Sequence, residues 1–126
     1  NIKFKYYPAL LKRRDEISKM YDEGLKGLPL ELPIRQDEQI TQEYIIKLKT
    51  YTELKRFKKF MEKKNIELLI RDTTPNHLLL GLGLARYNLP VTERLADKSV
   101  RLSCYPELTN QEIRYVIRSI KQFYGT

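Results

Sequence analysis

The sequence predicts an α+β fold: a small, mainly antiparallel sheet of about three strands packed with helices, preceded by a long N-terminal helix. Three observations predict it. Short runs alternate apolar and polar residues with period two, as in Tyr44, Ile46 and Leu48, and again in Val100, Leu102 and Cys104 against Arg101 and Ser103. Longer runs repeat apolar residues at three- and four-residue spacing, which gives a helix one face to bury. Cap and turn residues stand where one period gives way to the other.

The elements follow in order. Positions 8–26 read as the first helix, with Pro8 suited to a first turn and Leu10, Ile17, Tyr21 and Leu25 near one face. Arg13, Arg14, Asp15 and Glu16 supply its wet side, and Gly24 and Gly27 offer left-handed endings. Positions 28–33 are extended but broken by two prolines, and Asp37 and Glu38 mark a polar loop. The alternation over 43–48 is a strand. Thr50-x-x-Glu53 is a capping-box signature that opens a helix with Leu54, Phe57, Phe60 and Met61 inward, which puts its many lysines on the solvent side. Asn65 can end that helix, since asparagine enters the left-handed region readily.

Positions 67–71 (ELLIR) read as another strand, followed by a loop and a short helix over 78–82. Gly81-Leu82-Gly83 is not a dinucleotide fingerprint, because the third glycine and a leading strand are both missing. Pro90 then suits a first helical turn, and the strand 100–104 ends before Pro106. Thr109-x-x-Glu112 is a second capping box. It opens a closing helix with one stripe of Ile113, Val116, Ile117, Ile120 and Phe123.

Bulk properties narrow the function. At 126 residues the chain fits one domain with a real core. Its formal charge is +8, from 24 basic and 16 acidic residues. Clustered, that excess would suit nucleic acid or an acidic membrane surface. Here the charges are spread along the chain and interleaved, which reads as a solvated surface rather than a nucleic-acid footprint; a third reading gives a few of them to an anionic ligand. A single cysteine, Cys104, excludes an internal disulfide and a thiolate zinc cage, and favours a reducing, cytoplasmic setting. No apolar run approaches the roughly 20 residues of a membrane span. The chain opens on Asn1 without a signal pattern, as a piece of something longer would.

The loop 71–77 gathers more chemistry than any other stretch. It holds a guanidinium (Arg71), two hydroxyls, a carboxamide (Asn76) and the only imidazole (His77) directly after a strand. Arg71 offers a fork for phosphate or carboxylate, and His77 could donate to a phosphate oxygen or lie against a sugar. A second reading has Thr73, Thr74 and Asn76 satisfying turn backbone while His77 caps the following helix.

Three stretches carry a family resemblance: LPVTERLAD at 89–97, RLSCYPELT at 101–109 and QEIRYVIRSIKQFY at 111–124. Together they resemble the closing segment of the DegT/DnrJ/StrS family of pyridoxal-phosphate-dependent sugar aminotransferases. KRRDEISKMYDEGLKGL at 12–28 is similar to that family's connecting helix. The sequence departs from the pattern at Cys104, where the family often carries Met, and at Asn65-Ile66, in place of Gly-Ile. It departs again at 71–77, where only Pro75-Asn76-His77 matches the end of a histidine-rich segment and Arg71-Asp72 replaces its His-Tyr.

The resemblance implies that residues 1–27 are a connecting helix from a large domain and 28–126 the C-terminal small domain. In such enzymes a lysine of the large domain attaches pyridoxal phosphate. Glutamate gives its amino group to a nucleotide-linked keto-sugar, and the enzyme is a homodimer. The resemblance therefore implies a role in polysaccharide or secondary-metabolite sugar biosynthesis. It nominates Arg71, Asn76 and His77 for substrate binding and no catalytic residue, cofactor or metal ligand in this chain. The isolated chain is expected to bind no cofactor and to be silent, without nucleic-acid or membrane partners. Two rival functions stand beside this one: a dehydratase of the same family using the aminated cofactor, and a basic nucleic-acid-binding module.

Overall fold

The computed structural model describes residues 2–36, 39–70, 74–79, 81–84 and 86–126. Its elements are α1 (Ile2–Leu25), β1 (Tyr44–Lys47), α2 (Tyr51–Lys63), a 3-10 turn (Asn76–Leu78), α3 (Pro90–Ala96), β2 (Ser99–Leu102) and α4 (Asn110–Tyr124). This is the α+β arrangement, with α1 packed on α4 and α4 on α2.

The two strands pair antiparallel, Tyr44 opposite Leu102 and Ile46 opposite Val100. All four of those side chains are buried, so the period-two alternation turns one shared face of the ladder inward. Among the described residues the sheet has two full strands where about three were expected. Each outer edge carries a single bridge instead, Glu31 to Lys47 and Leu69 to Arg101. Pro29 and Pro33 flank Glu31 and cannot donate, which limits that edge to one residue. At the other edge, Leu68, Leu69 and Ile70 are three apolar residues in a row and define no side by themselves. The fold buries Leu68 and leaves Leu69 55% exposed.

The helix α1 begins at Ile2, so Pro8 lies inside it rather than at its start. Only six helical residues precede the proline, so its missing N–H removes a single hydrogen bond near the helix start. Core packing starts later still: Ile17, Tyr21 and Leu25 are fully buried, whereas Leu10, expected on the inner face, is exposed. Gly27, at φ +82°, ends the helix, while Gly24 stays helical where α1 meets α4.

Arg13 and Arg14 do not form a wet side. Arg14 Nη1 donates to the carbonyls of Gln42 (2.7 Å) and Cys104 (2.8 Å). Arg13 Nη2 donates to the carbonyl of Leu108 (2.5 Å) and to Asn110 Oδ1 (2.9 Å). Arg35 joins Asp15 and Asp22 of α1, and Tyr44 donates to Asp22 Oδ1 at 2.7 Å. The loops are thereby strapped to α1.

The capping expectations hold in different degrees. Thr109 Oγ1 accepts from the Glu112 N–H (3.2 Å) while Glu112 Oε2 accepts from the Thr109 N–H (2.8 Å), a complete box. Thr50 caps Glu53 in the same way, but the Glu53 carboxylate reaches one residue past the cap, to the N–H of Lys49 (2.9 Å). In α2 Leu54, Phe57 and Met61 are buried, and Lys55, Lys58, Lys59 and Lys63 face solvent. Asn65 adopts φ +56°, the left-handed ending its chemistry suits.

Candidate functional site

Beyond the bridge at Leu69, the chain runs to Pro75, whose ψ of 146° is extended, and then winds into the turn Asn76–Leu78. Leu78 N–H closes on the Pro75 carbonyl (2.8 Å) and Leu79 N–H on that of Asn76 (3.2 Å). Among the described residues no α-helix forms where a short one over 78–82 was expected; Leu78, Leu79 and Leu82 are all exposed and offer no buried face to support one.

His77 is 5% exposed, and its Nε2 lies 2.9 Å from Glu93 Oε1 in the first turn of α3. A carboxylate can only accept, so the imidazole donates. His77 therefore does not cap a following helix. The bond holds the Glu93 carboxyl below the usual carboxylate range, chiefly through the imidazole donor. An unpartnered buried ring N–H would cost about 1–3 kcal/mol, so the pair also secures the turn against α3.

The turn and α3 enclose an open groove of about 850 Å³. Its polar lining includes Thr74, Asn76, His77, Tyr87, Thr92 and Ser99, and Leu84, Leu89 and Leu95 supply apolar wall. Asn76 is exposed, and its carboxamide has no hydrogen-bond partner among the described residues. At the rim Arg86 stacks 5.1 Å from the Tyr87 ring and donates to its hydroxyl at 3.1 Å. With a carboxylate on the ε nitrogen of His77, that side of the ring is poorly suited to phosphate. The hydroxyls, carboxamide and apolar wall suit a neutral polyhydroxylated ring, with Arg86 as the nearby cation.

Of the three nominated residues, Asn76 and His77 line this groove, and Arg71 lies outside the described residues with Asp72 and Thr73. Glu93, Tyr87 and Arg86 were not singled out from sequence. Glu93 is 16 residues from His77, and no local spacing rule spans that distance.

Pyridoxal chemistry needs a lysine in a desolvated pocket. None of the lysines whose side chains are described is buried, so these residues do not fit as the attachment point. Among the described residues no group of three or more His, Cys, Asp or Glu could hold a metal ion, and no helix is long and apolar enough to cross a membrane.

The chain is similar to known proteins over nearly all its length. It is 31% identical over 123 residues to a dTDP-3-amino-3,4,6-trideoxy-alpha-D-glucose transaminase of Micromonospora megalomicea subsp. nigra, covering 90% of this chain and 32% of that protein. Its fold matches the sugar aminotransferase CalS13 of Micromonospora echinospora, with a TM-score of 0.83, 24% identity, and coverage of 94% of this chain and 32% of that one. It also matches NtdA of Bacillus subtilis, solved with bound cofactor PMP, with a TM-score of 0.87, 19% identity, and coverage of 97% and 30%. The chain thus spans about a third of the length of these relatives. Residues 1–121 match the DegT/DnrJ/EryC1/StrS aminotransferase family, and the chain belongs to it.

Proposed function

We propose that the chain is the connecting helix (1–27) and C-terminal small domain (28–126) of a pyridoxal-phosphate-dependent aminotransferase acting on nucleotide-linked keto-sugars. One observation carries the reading: the family match runs through residues 1–121, while the chain amounts to about a third of its relatives. A part of that size, with no buried lysine among the side chains described, fits a domain that shapes the substrate pocket while another domain holds the cofactor. Asn76 and His77, with Arg71, contact the sugar nucleotide. Glutamate is the amino donor, the enzyme works in the cytoplasm as a homodimer, and its product feeds polysaccharide or secondary-metabolite sugar synthesis. The transaminase among the relatives supports amino transfer over dehydration.

The test is an amino-transfer assay on the gene product containing these residues, with glutamate and a nucleotide-linked keto-sugar. Cofactor-loaded, folded protein that transfers no amino group overturns the reading. Asn76→Ala in that product should raise KM for the sugar nucleotide with little change in kcat, since the carboxamide is exposed on the groove wall. The 126-residue chain alone, mixed with pyridoxal phosphate and treated with borohydride, should retain no stoichiometric cofactor.

A further inference from the structure

Residues 4–10 of α1 are all exposed. Phe4 is 78% exposed and stacks on Tyr7 at 6.0 Å, while Ile17, Tyr21 and Leu25 further along are fully buried. Tyr7, Leu10 and Leu11 form one wall of a groove of about 470 Å³, with Ile40, Tyr105 and Pro106 opposite. Its walls are preformed, because Arg14 bonds the carbonyls of Gln42 and Cys104 and so fixes both loops to the helix. At about 200 Å² for a large side chain, the apolar surface shown by Phe4, Tyr7, Leu10, Ile40 and Tyr105 is on the order of 500 Å². That stands at the upper end of what a lone domain leaves in one patch.

We infer that this groove is the docking surface for the large domain of the family-length protein. The inference rests on the domain reading proposed above and adds the place and chemistry of the contact. The relatives are about three times as long as this chain, so a family-length protein has a further body of protein to seat. On the domain reading residues 1–27 come from that body, which puts it at the end of α1 where these side chains stand bare. The other broad surface, the outer faces of α2 and α4, is a poor alternative. Residues 51–64 and 110–124 carry nine basic and three acidic residues, and interface cores are depleted in lysine. Aromatic and aliphatic side chains around one arginine are what such cores use.

Hydroxyl-radical footprinting read by mass spectrometry tests this on the 126-residue chain and on the longer gene product. Labelling of Tyr7 and Tyr105 should fall roughly fivefold in the longer product, as for a half-exposed ring that becomes about nine-tenths buried. Tyr51 and Tyr115, equally exposed on α2 and α4, should label alike in both. Equal labelling of Tyr7 and Tyr105 in the two proteins overturns the inference. So does protection that rises with concentration of the 126-residue chain, which would make a second copy the occupant. Leu10→Asp offers a second measurement: it should leave melting of the 126-residue chain unchanged and lower that of the longer product, and an unchanged longer product counts against the groove. Protection in a longer product that transfers no amino group would sink the proposed activity and leave this surface standing.

Discussion

His77 Nε2 lies 2.9 Å from Glu93 Oε1, and this bond ties the loop after the sheet to the first turn of α3 beside the groove. His77→Ala should destabilise the fold by about 2 kcal/mol, from the void and the lost bond together, as read by urea unfolding. It should also loosen the groove, seen as faster amide exchange across Pro90–Ala96.

The same pair has a pH signature. Glu93 has a folded pKa below its ordinary 4.5, because the imidazole donates to the carboxylate. A depressed carboxyl contributes stability above its unfolded pKa and loses it as pH falls through the folded value. Glu93→Gln should therefore melt lower than the parent at neutral pH, and the two should converge as pH drops below about 4.5. Parallel melting curves down to acid pH would remove the carboxylate from the account.

Gly24 of α1 faces Ile117 of α4. A β-carbon there would stand 2.7 Å from Ile117 Cδ1 and 2.8 Å from its Cγ2. Alanine gains about 1 kcal/mol of helix propensity, but crowding a stiff β-branched neighbour costs about 1–3 kcal/mol. Crowding should win, since Cγ2 sits on the branch point and cannot swing away as a chain end could. Gly24→Ala should thus destabilise, and adding Ile117→Ala should shrink the penalty of the alanine; additive effects would show that the contact does not matter.

Arg14→Met keeps the stem and removes the donors, leaving the Gln42 and Cys104 carbonyls without their shared partner. A loss of about 1–3 kcal/mol is expected on denaturant unfolding. Arg14→Lys should not restore it, because the two carbonyls are met from one end of a planar guanidinium with fixed donor directions.

Burial pushes the hydroxyls of Tyr21, Tyr44 and Tyr124 well above the ordinary tyrosine range, reinforced at Tyr44 by Asp22 and at Tyr124 by Glu53. A raised pKa contributes stability below the unfolded value of 10.0, which is lost as pH climbs above it. Absorbance titration of the nine tyrosines should therefore show these three ionising only with alkaline unfolding. A single reversible step for all nine would contradict the packing.

Some features were legible in residue order because their physics is local. The alternation of Tyr44, Ile46 and Leu48 needs only a strand's period, and Thr109 with Glu112 needs only the first turn of a helix. The apolar stripe of α4 and the left-handed Asn65 belong to the same class, and the family resemblance rests on such local patterns held at fixed spacing. Tertiary structure decided the rest, because the deciding partners are far apart in the chain. Arg13 and Arg14 read as solvated charges until carbonyls some 90 residues away met them. ELLIR gave no side to face until Arg101 took Leu69 alone. His77 read as a ligand for a phosphate or a sugar, or as a helix cap, and no local spacing pointed to Glu93 as its partner; Leu10 read as core until the packing began at Ile17. A residue's period reports the element it sits in; its burial and bonding depend on what the fold brings across to it.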